Sequence, residues 1–126
     1  YTVANLADVK KETNELTDRI AEYANLNFSN STLNLSDIAD ELGYDAKYLS
    51  ALFCAKRGIT FTQYLRGLRI KHAAFLFDEG VESVKSVAIL SGFSDALYFS
   101  KIFKQETGMT PSAYFQRRRD EKLNQS

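Results

Sequence analysis

Two stretches about fifty residues apart repeat the same order of residue types, and any fold this chain adopts must accommodate both. Ala39-Asp40-Glu41-Leu42-Gly43-Tyr44 returns as Ala88-Ile89-Leu90-Ser91-Gly92-Phe93, and Tyr48-Leu49-Ser50 with Phe53 returns as Tyr98-Phe99-Ser100 with Phe103. Gly58-Ile59-Thr60 and Tyr64 recur as Gly108-Met109-Thr110 and Tyr114. The offset is 49 residues up to the aromatic after the glycine and 50 beyond it, so the second copy carries one extra turn residue. Each copy reads as a short helix, a turn opened by Gly and a second helix, the layout of a helix-turn-helix. Two such units in one chain suggest that two segments of DNA are read at once.

The apolar spacing around these copies is helical throughout. β-branched runs bounded by turns are absent and Pro and Gly are scarce, which predicts an all-α fold. Leu6, Val9, Leu16, Ile20 and Tyr23 recur at three- and four-residue steps, with Thr13 in the one polar slot, so the first helix is amphipathic. That stripe packs either on the domain's own core or a missing neighbour, or it forms a dimer or signalling linker. The Asn- and Ser-rich stretch 27–34 is a loop, and Ser36 is the expected N-cap of a helix burying Ile38, Ala39 and Leu42 up to Gly43. Asp45 is expected to cap the next helix, which turns Leu49, Leu52 and Phe53 inward. Thr60 then caps a long helix with a core stripe of Phe61, Tyr64, Leu65, Leu68 and Leu76. Roughly 19 residues at about 1.5 Å each span about 28 Å, close to the roughly 34 Å repeat of duplex DNA.

In the second copy Val84, Val87, Ala88 and Leu90 are expected to be buried. The following helix should bury Phe99, Ile102 and Phe103 and expose Ala96, Leu97, Ser100, Lys101 and Lys104. Thr110-Pro111 starts a last helix, with Pro at the first helical position, and Arg117-Arg118-Arg119 falls near its expected end.

Several function classes lack their chemistry here. The single cysteine, Cys54, has no partner for a disulfide, and one histidine, His72, with no Cys/His cluster leaves no metal or cofactor to expect. No triad-like spacing, glycine-rich phosphate loop or paired-carboxylate constellation appears, so the chain reads as a non-enzyme. Cysteine usage and the lack of an apolar run of roughly 18 residues or of a secretory pattern point to the cytoplasm. Tyr1 in place of Met suggests a processed chain or an excised piece of a longer protein. Although the formal net charge is zero, residues 1–42 hold three Lys/Arg against eight Asp/Glu and residues 43–126 hold thirteen against eight. Positive charge thus lies with the presumed reading helices, where it attracts phosphate locally.

The motif Gly92-Phe93-Ser94-Asp95, Tyr98-Phe99-Ser100-Lys101, Phe103-Lys104, Gly108, Thr110-Pro111 and Tyr114 closely resembles the C-terminal signature of the AraC/XylS family of bacterial transcription regulators. The first copy and Leu68-Arg69-Ile70 with Ala73 and Leu76 fit as well, so the resemblance covers residues 19–116. It implies an all-α fold of about seven helices in two helix-turn-helix halves joined by a long helix, binding double-stranded DNA through the second helix of each half. It further implies an N-terminal sensor, receiver or dimerisation domain outside this chain, with RNA polymerase a partner on a face away from DNA. The corresponding organisation is a linker or signalling helix at 1–18 and a DNA-binding domain at 19–120, followed by a tail at 121–126. Within the domain, 19–58 and 81–120 are the two halves and 59–80 joins them. Two positions depart from the family pattern: Phe115 follows the last tyrosine where a basic residue is common, and Cys54-Ala55 replaces an Arg/Lys pair.

Side chains on the exposed face of each second helix can reach base edges. In the first copy these are Ala46, Lys47, Ser50 and Ala51; in the second, Ala96, Leu97, Ser100 and Lys101. So few donors predict limited direct readout, supplemented by duplex shape and deformability. Phosphate contacts are expected from Lys56, Arg57, Lys104, the Tyr48 and Tyr98 hydroxyls, and helix starts near Ser36, Val84 and Thr110. The competing reading is a helical protein-interaction module that keeps this geometry without binding DNA.

Overall fold

The computed structural model describes residues 6–124 and contains seven α-helices, with no strand among the described residues. They are α1 (Leu6–Asn27), α2 (Leu35–Leu42), α3 (Ala46–Arg57), α4 (Phe61–Asp78), α5 (Val84–Leu90), α6 (Ala96–Thr107) and α7 (Pro111–Asn124). Residues 1–5 of the expected linker and residues 125 and 126 of the expected tail lie outside the described residues. The contacts divide the chain into two compact units: the first takes α1 and Thr32–Leu65, the second Phe28–Ser31 and the chain from Arg66 onward. The boundary falls inside α4.

In the first unit α1 and α2 both pack on α3. Leu16, Ile20 and Ala24 of α1, Ile38 and Ala39 of α2, and Leu49 and Phe53 of α3 are buried. Phe53 meets the rings of Phe61 and Tyr64 edge-on at 5.8 and 5.3 Å, tying the start of α4 to this core. Thr60 and Gln63 cap α4 reciprocally: the Thr60 hydroxyl accepts from the Gln63 N–H, and Gln63 Oε1 accepts from the Thr60 N–H.

One expectation for this unit is corrected. The N-cap of α2 is Asn34 rather than Ser36: Asn34 has extended backbone and its Oδ1 accepts from the Asp37 N–H at 3.0 Å, so Ser36 is already inside the helix. The apolar stripe of α1 packs only from Leu16 onward, and Leu6 (82% exposed) and Val9 lie in solvent. A helix of 22 residues is longer than the 12-residue α3 that it packs on, and its first turns extend past that contact.

The core of the second unit is aromatic. The rings of Phe77, Phe99 and Phe103 lie 5.6–6.4 Å apart in mutual contact, and Tyr114 meets Phe103 edge-on at 5.4 Å. Here α4 contributes Ile70, Ala73 and Phe77 as its deepest residues, while Leu68 and Leu76 of the expected stripe are only half-buried, as is Tyr64 in the first unit. One helix that serves a different core at each end turns a different stripe inward along each half.

Leu90 is 53% exposed instead of buried. Two residues beyond Ala88 it falls on the opposite side of α5, and the inward place four residues after Val87 goes to Ser91, which is fully buried. Among the described residues Ser91 Oγ has no hydrogen-bond partner.

A four-residue loop also belongs to this unit. Arg69 donates from Nε to the Phe28 carbonyl at 2.9 Å and from Nη2 to the Asn30 carbonyl at 2.8 Å. Burial pulls its guanidinium below the ordinary value, partly offset by the charge interaction with Tyr98. Gly92 presses against the same carbonyl: its φ is +93°, and a Cβ there would lie 2.2 Å from Phe28 O and 2.8 Å from Arg69 Nε.

These two neighbours in sequence should respond oppositely to alanine. Gly92→Ala is expected to cost about 2–4 kcal/mol, from left-handed backbone and overpacking together. Ser91→Ala removes an unsatisfied buried hydroxyl and should raise stability by about 1 kcal/mol. Urea denaturation midpoints at unchanged m-value measure both.

Candidate nucleic-acid interface

Helices α3 and α6 are built alike. Each is 12 residues long. Asp45 Oδ1 accepts from the Lys47 N–H at 2.7 Å and Asp95 Oδ1 from the Leu97 N–H at 2.8 Å. Both end at a left-handed glycine, Gly58 (φ 75°) and Gly108 (φ 81°). The equivalent caps fix where each helix starts, and the buried pairs Leu49 with Phe53 and Phe99 with Phe103 fix which side faces inward. The remaining side of each helix is left to solvent.

On that outer side Lys47, Ser50 and Ala51 of α3 and Leu97 and Lys101 of α6 are exposed, as expected. Neither Lys47 nor Lys101 forms an ion pair among the described residues. Ala46 and Ala96 are half-buried, and Ala96 packs against the aromatic core, so both mark the inner shoulder of the first turn. Ser100 is half-buried too, and its hydroxyl donates to the Ala96 carbonyl at 3.0 Å. Its proton is therefore engaged by its own helix and its lone pairs remain available. The sequence expectation of an exposed position is corrected accordingly for Ala46, Ala96 and Ser100.

The expected phosphate ligands divide into free and engaged groups. Lys56 and Lys104 are exposed near the ends of α3 and α6. Tyr48 and Tyr98 have their rings about half exposed, Tyr48 stacked on Tyr44 at 6.0 Å and Tyr98 tilted against Phe93 at 6.2 Å. Arg57, by contrast, places Nη2 2.9 Å from Asp18 Oδ1 and lies over the Phe53 ring, so an acid already matches its charge.

At the three helix starts a side chain takes one N–H each: Asn34 that of Asp37, Ser83 that of Ser86, and Thr110 that of Ala113. Ser36 and the half-buried Val84 lie just ahead of those bonded positions, in the first turns of α2 and α5.

The arginine triplet is not at a helix end. Because α7 continues to Asn124, Arg117–Arg119 sit in its middle. Arg118 donates to both oxygens of Asp78 at 2.7 and 3.2 Å and to Glu121 at 3.1 Å, and these hydrogen bonds hold its guanidinium above the ordinary value. Tyr114 and Lys122 also donate to Asp78, at its side chain and carbonyl respectively. The i, i+4 spacing of Arg117 and Glu121, 3.2 Å apart, was visible in sequence; the role of Asp78, 40 residues from Arg118, carried no local signal.

His72 is explained by packing, with its ring 4.9 Å from Phe28 and 6.2 Å from Phe75. Cys54 is exposed. Among the described residues no group of side chains could hold a metal, and no helix is long and apolar enough to cross a membrane.

With this geometry in place, comparison with known proteins gives a consistent family. Residues 16–117 match the family model of a helix-turn-helix domain. The HTH-type transcriptional activator RhaR of Escherichia coli K12 is 33% identical over 116 residues, covering 90% of this chain and 39% of RhaR. The C-terminal domain of AraT, a response regulator from Geobacillus stearothermophilus, is 30% identical with a TM-score of 0.78, covering 80% of this chain and 84% of that domain. The C-terminal domain of the two-component response regulator yesN from Fusobacterium nucleatum is 30% identical with a TM-score of 0.73, covering 82% and 98%. The chain belongs to the AraC/XylS family and corresponds to its helix-turn-helix DNA-binding domain. It spans 39% of the length of the curated relatives it matches.

The two capping carboxylates give the test of this local architecture. Asp45→Ala and Asp95→Ala are each expected to cost about 1 kcal/mol, read from denaturant midpoints, with faster amide exchange confined to the first turn of the helix concerned.

Proposed function

We propose that this chain is the DNA-reading module of a bacterial transcription regulator. In this reading α3 and α6 enter successive segments of the major groove of one duplex. The observation that carries it is the pair of equivalently capped helices, each with its inner side embedded and its outer side free of ion pairing at Lys47 and Lys101. A major groove about 12 Å wide admits one helix of this kind.

Lys47, Ser50 and Ala51 face bases from α3, and Leu97, Ser100 and Lys101 from α6, while Ala46 and Ala96 stay on the inner shoulder of each first turn. Lys56, Lys104 and the Tyr48 and Tyr98 hydroxyls hold phosphates, joined by backbone N–H groups near Ser36, Val84 and Thr110. Arg57 joins them only by leaving Asp18. The module spans 19–120, and residues 1–18 lead to it from a preceding sensor, receiver or dimerisation domain in the cytoplasm. The overhanging first turns of α1 support that connection. RNA polymerase is contacted from a face away from the duplex.

The alternative, a helical docking module without DNA binding, differs in its ionic response. DNA binding should weaken linearly in log salt, with a slope of about −0.9 per phosphate neutralised, whereas an apolar protein interface should barely respond. Lys104→Ala is expected to weaken all sequences alike and lower that slope by about 1. Lys101→Ala should cost about 1–3 kcal/mol at one base position. Equal losses on preferred and random duplex for Lys101→Ala would remove its assigned role.

A further inference from the structure

Two arginines of this chain are held by aspartates far away in sequence, and the two pairings are built differently. Arg118 donates to both oxygens of Asp78, which also accepts from Tyr114. Among the described residues Arg57 makes a single contact with an acid, Nη2 to one oxygen of Asp18 at 2.9 Å, and the Asp18 side chain is 73% exposed. A forked pairing clamps two helices together, whereas one exposed hydrogen bond between ions adds little to stability and opens easily. The contact of α1 with α3 does not need it, because Leu16, Ile20 and Ala24 are buried there with Leu49 and Phe53.

The pairing does decide where the Arg57 charge lies. Arg57 is the last residue of α3, seven residues and about two turns beyond Ser50, so it borders the outward face on the side of Ser50. Its guanidinium lies 6.0 Å from the centre of the Phe53 ring, which steadies it at that border. The flanks of a helix in the major groove meet the phosphate strands that bound the groove, and a guanidinium fork fits a phosphate. Asp18 offers the same anionic oxygen from the protein itself. Glu15, Asp18 and Glu22 fall on one exposed face of α1, so that face is acidic and would also repel a duplex at longer range. The second copy lacks the arrangement. Thr107 precedes Gly108 as Arg57 precedes Gly58, and its hydroxyl donates to the Phe103 carbonyl at 2.7 Å.

We infer that Asp18 is an internal competitor for DNA phosphate at Arg57, an autoinhibitory contact that lowers the affinity of the first half for duplex. Binding through Arg57 then exchanges one anionic oxygen for another. Asp18 stands on the helix that follows the expected linker, so a displacement of α1 alters DNA affinity without touching the base-facing residues of α3. This inference rests on the DNA-binding reading above.

The test is a double-mutant cycle read by fluorescence anisotropy on a labelled random-sequence duplex spanning two helical turns, since a phosphate contact is independent of sequence. Asp18→Asn keeps the shape of the side chain and removes its charge. The gain in affinity cannot exceed the strength of the pair, so the variant should bind about threefold tighter than the parent. That gain should fade as salt rises. In an Arg57→Ala background the same substitution should change affinity little. Unchanged circular dichroism and melting establish that the variants are folded.

A gain of equal size in both backgrounds would mean that Asp18 only repels the duplex, and no gain in either would mean that Arg57 reaches no phosphate. Each of these results overturns the inference and leaves the DNA-binding reading standing. A chain that binds duplex without salt dependence overturns that reading and the inference with it.

Discussion

Helices α3 and α6 are each gripped from one side only, and the proposed activity depends on that asymmetry. Leu49 and Phe53 in α3, like Phe99 and Phe103 in α6, stand four residues apart and are wholly enclosed. The same helical repeat that stacks these anchors sends Lys47 with Ala51, and Leu97 with Lys101, to the opposite side. Buried rings of this size carry a large share of the packing energy of a small domain. Rotation of either helix about its axis would expose a phenylalanine, so the outward set is fixed by the inward one. The Asp caps and left-handed glycines then fix where along its axis each helix begins and ends.

A second constraint is the junction at Phe28. The chain leaves the first unit at Asn27, contributes four residues to the second and returns at Thr32. Arg69 binds two carbonyls of that loop while Gly92, in the turn ahead of α6, packs against one of them. A glycine required for turn geometry is thus also required by a loop more than sixty residues earlier. Phe28 completes the arrangement by covering His72, which gives that histidine a packing role. At the other end of the second unit, Asp78 gathers Tyr114, Arg118 and Lys122 and holds α7 to the end of α4.

The sequence carried the helical fold and its family because its signals are local. Asp45 and Thr60 announce caps, Gly43 and Gly58 announce turns, and the repeat aligns the two copies without any knowledge of contacts. The errors arose where a choice is settled at a distance. Asn34 and Ser36 are both acceptable caps, and only the path of the loop decides between them. Leu90 has the composition of a core residue, but a two-turn helix has room for one inward stripe, and Val87, Ala88 and Ser91 occupy it. Among the candidate site residues, exposure of Lys47, Leu97 and Lys101 followed from periodicity. The engagement of Arg57 by Asp18, and of Arg118 by Asp78, needed partners 39 and 40 residues away.

The central claim is that one chain offers two outward helix faces to successive turns of a single duplex. Guanine N7 protection from methylation, mapped on a selected duplex with the chain bound, tests it most directly. The account predicts two protected blocks about one helical turn, roughly 10 base pairs, apart, with Lys47→Ala opening one block and Lys101→Ala the other. A single protected block, or both variants opening the same one, would contradict it.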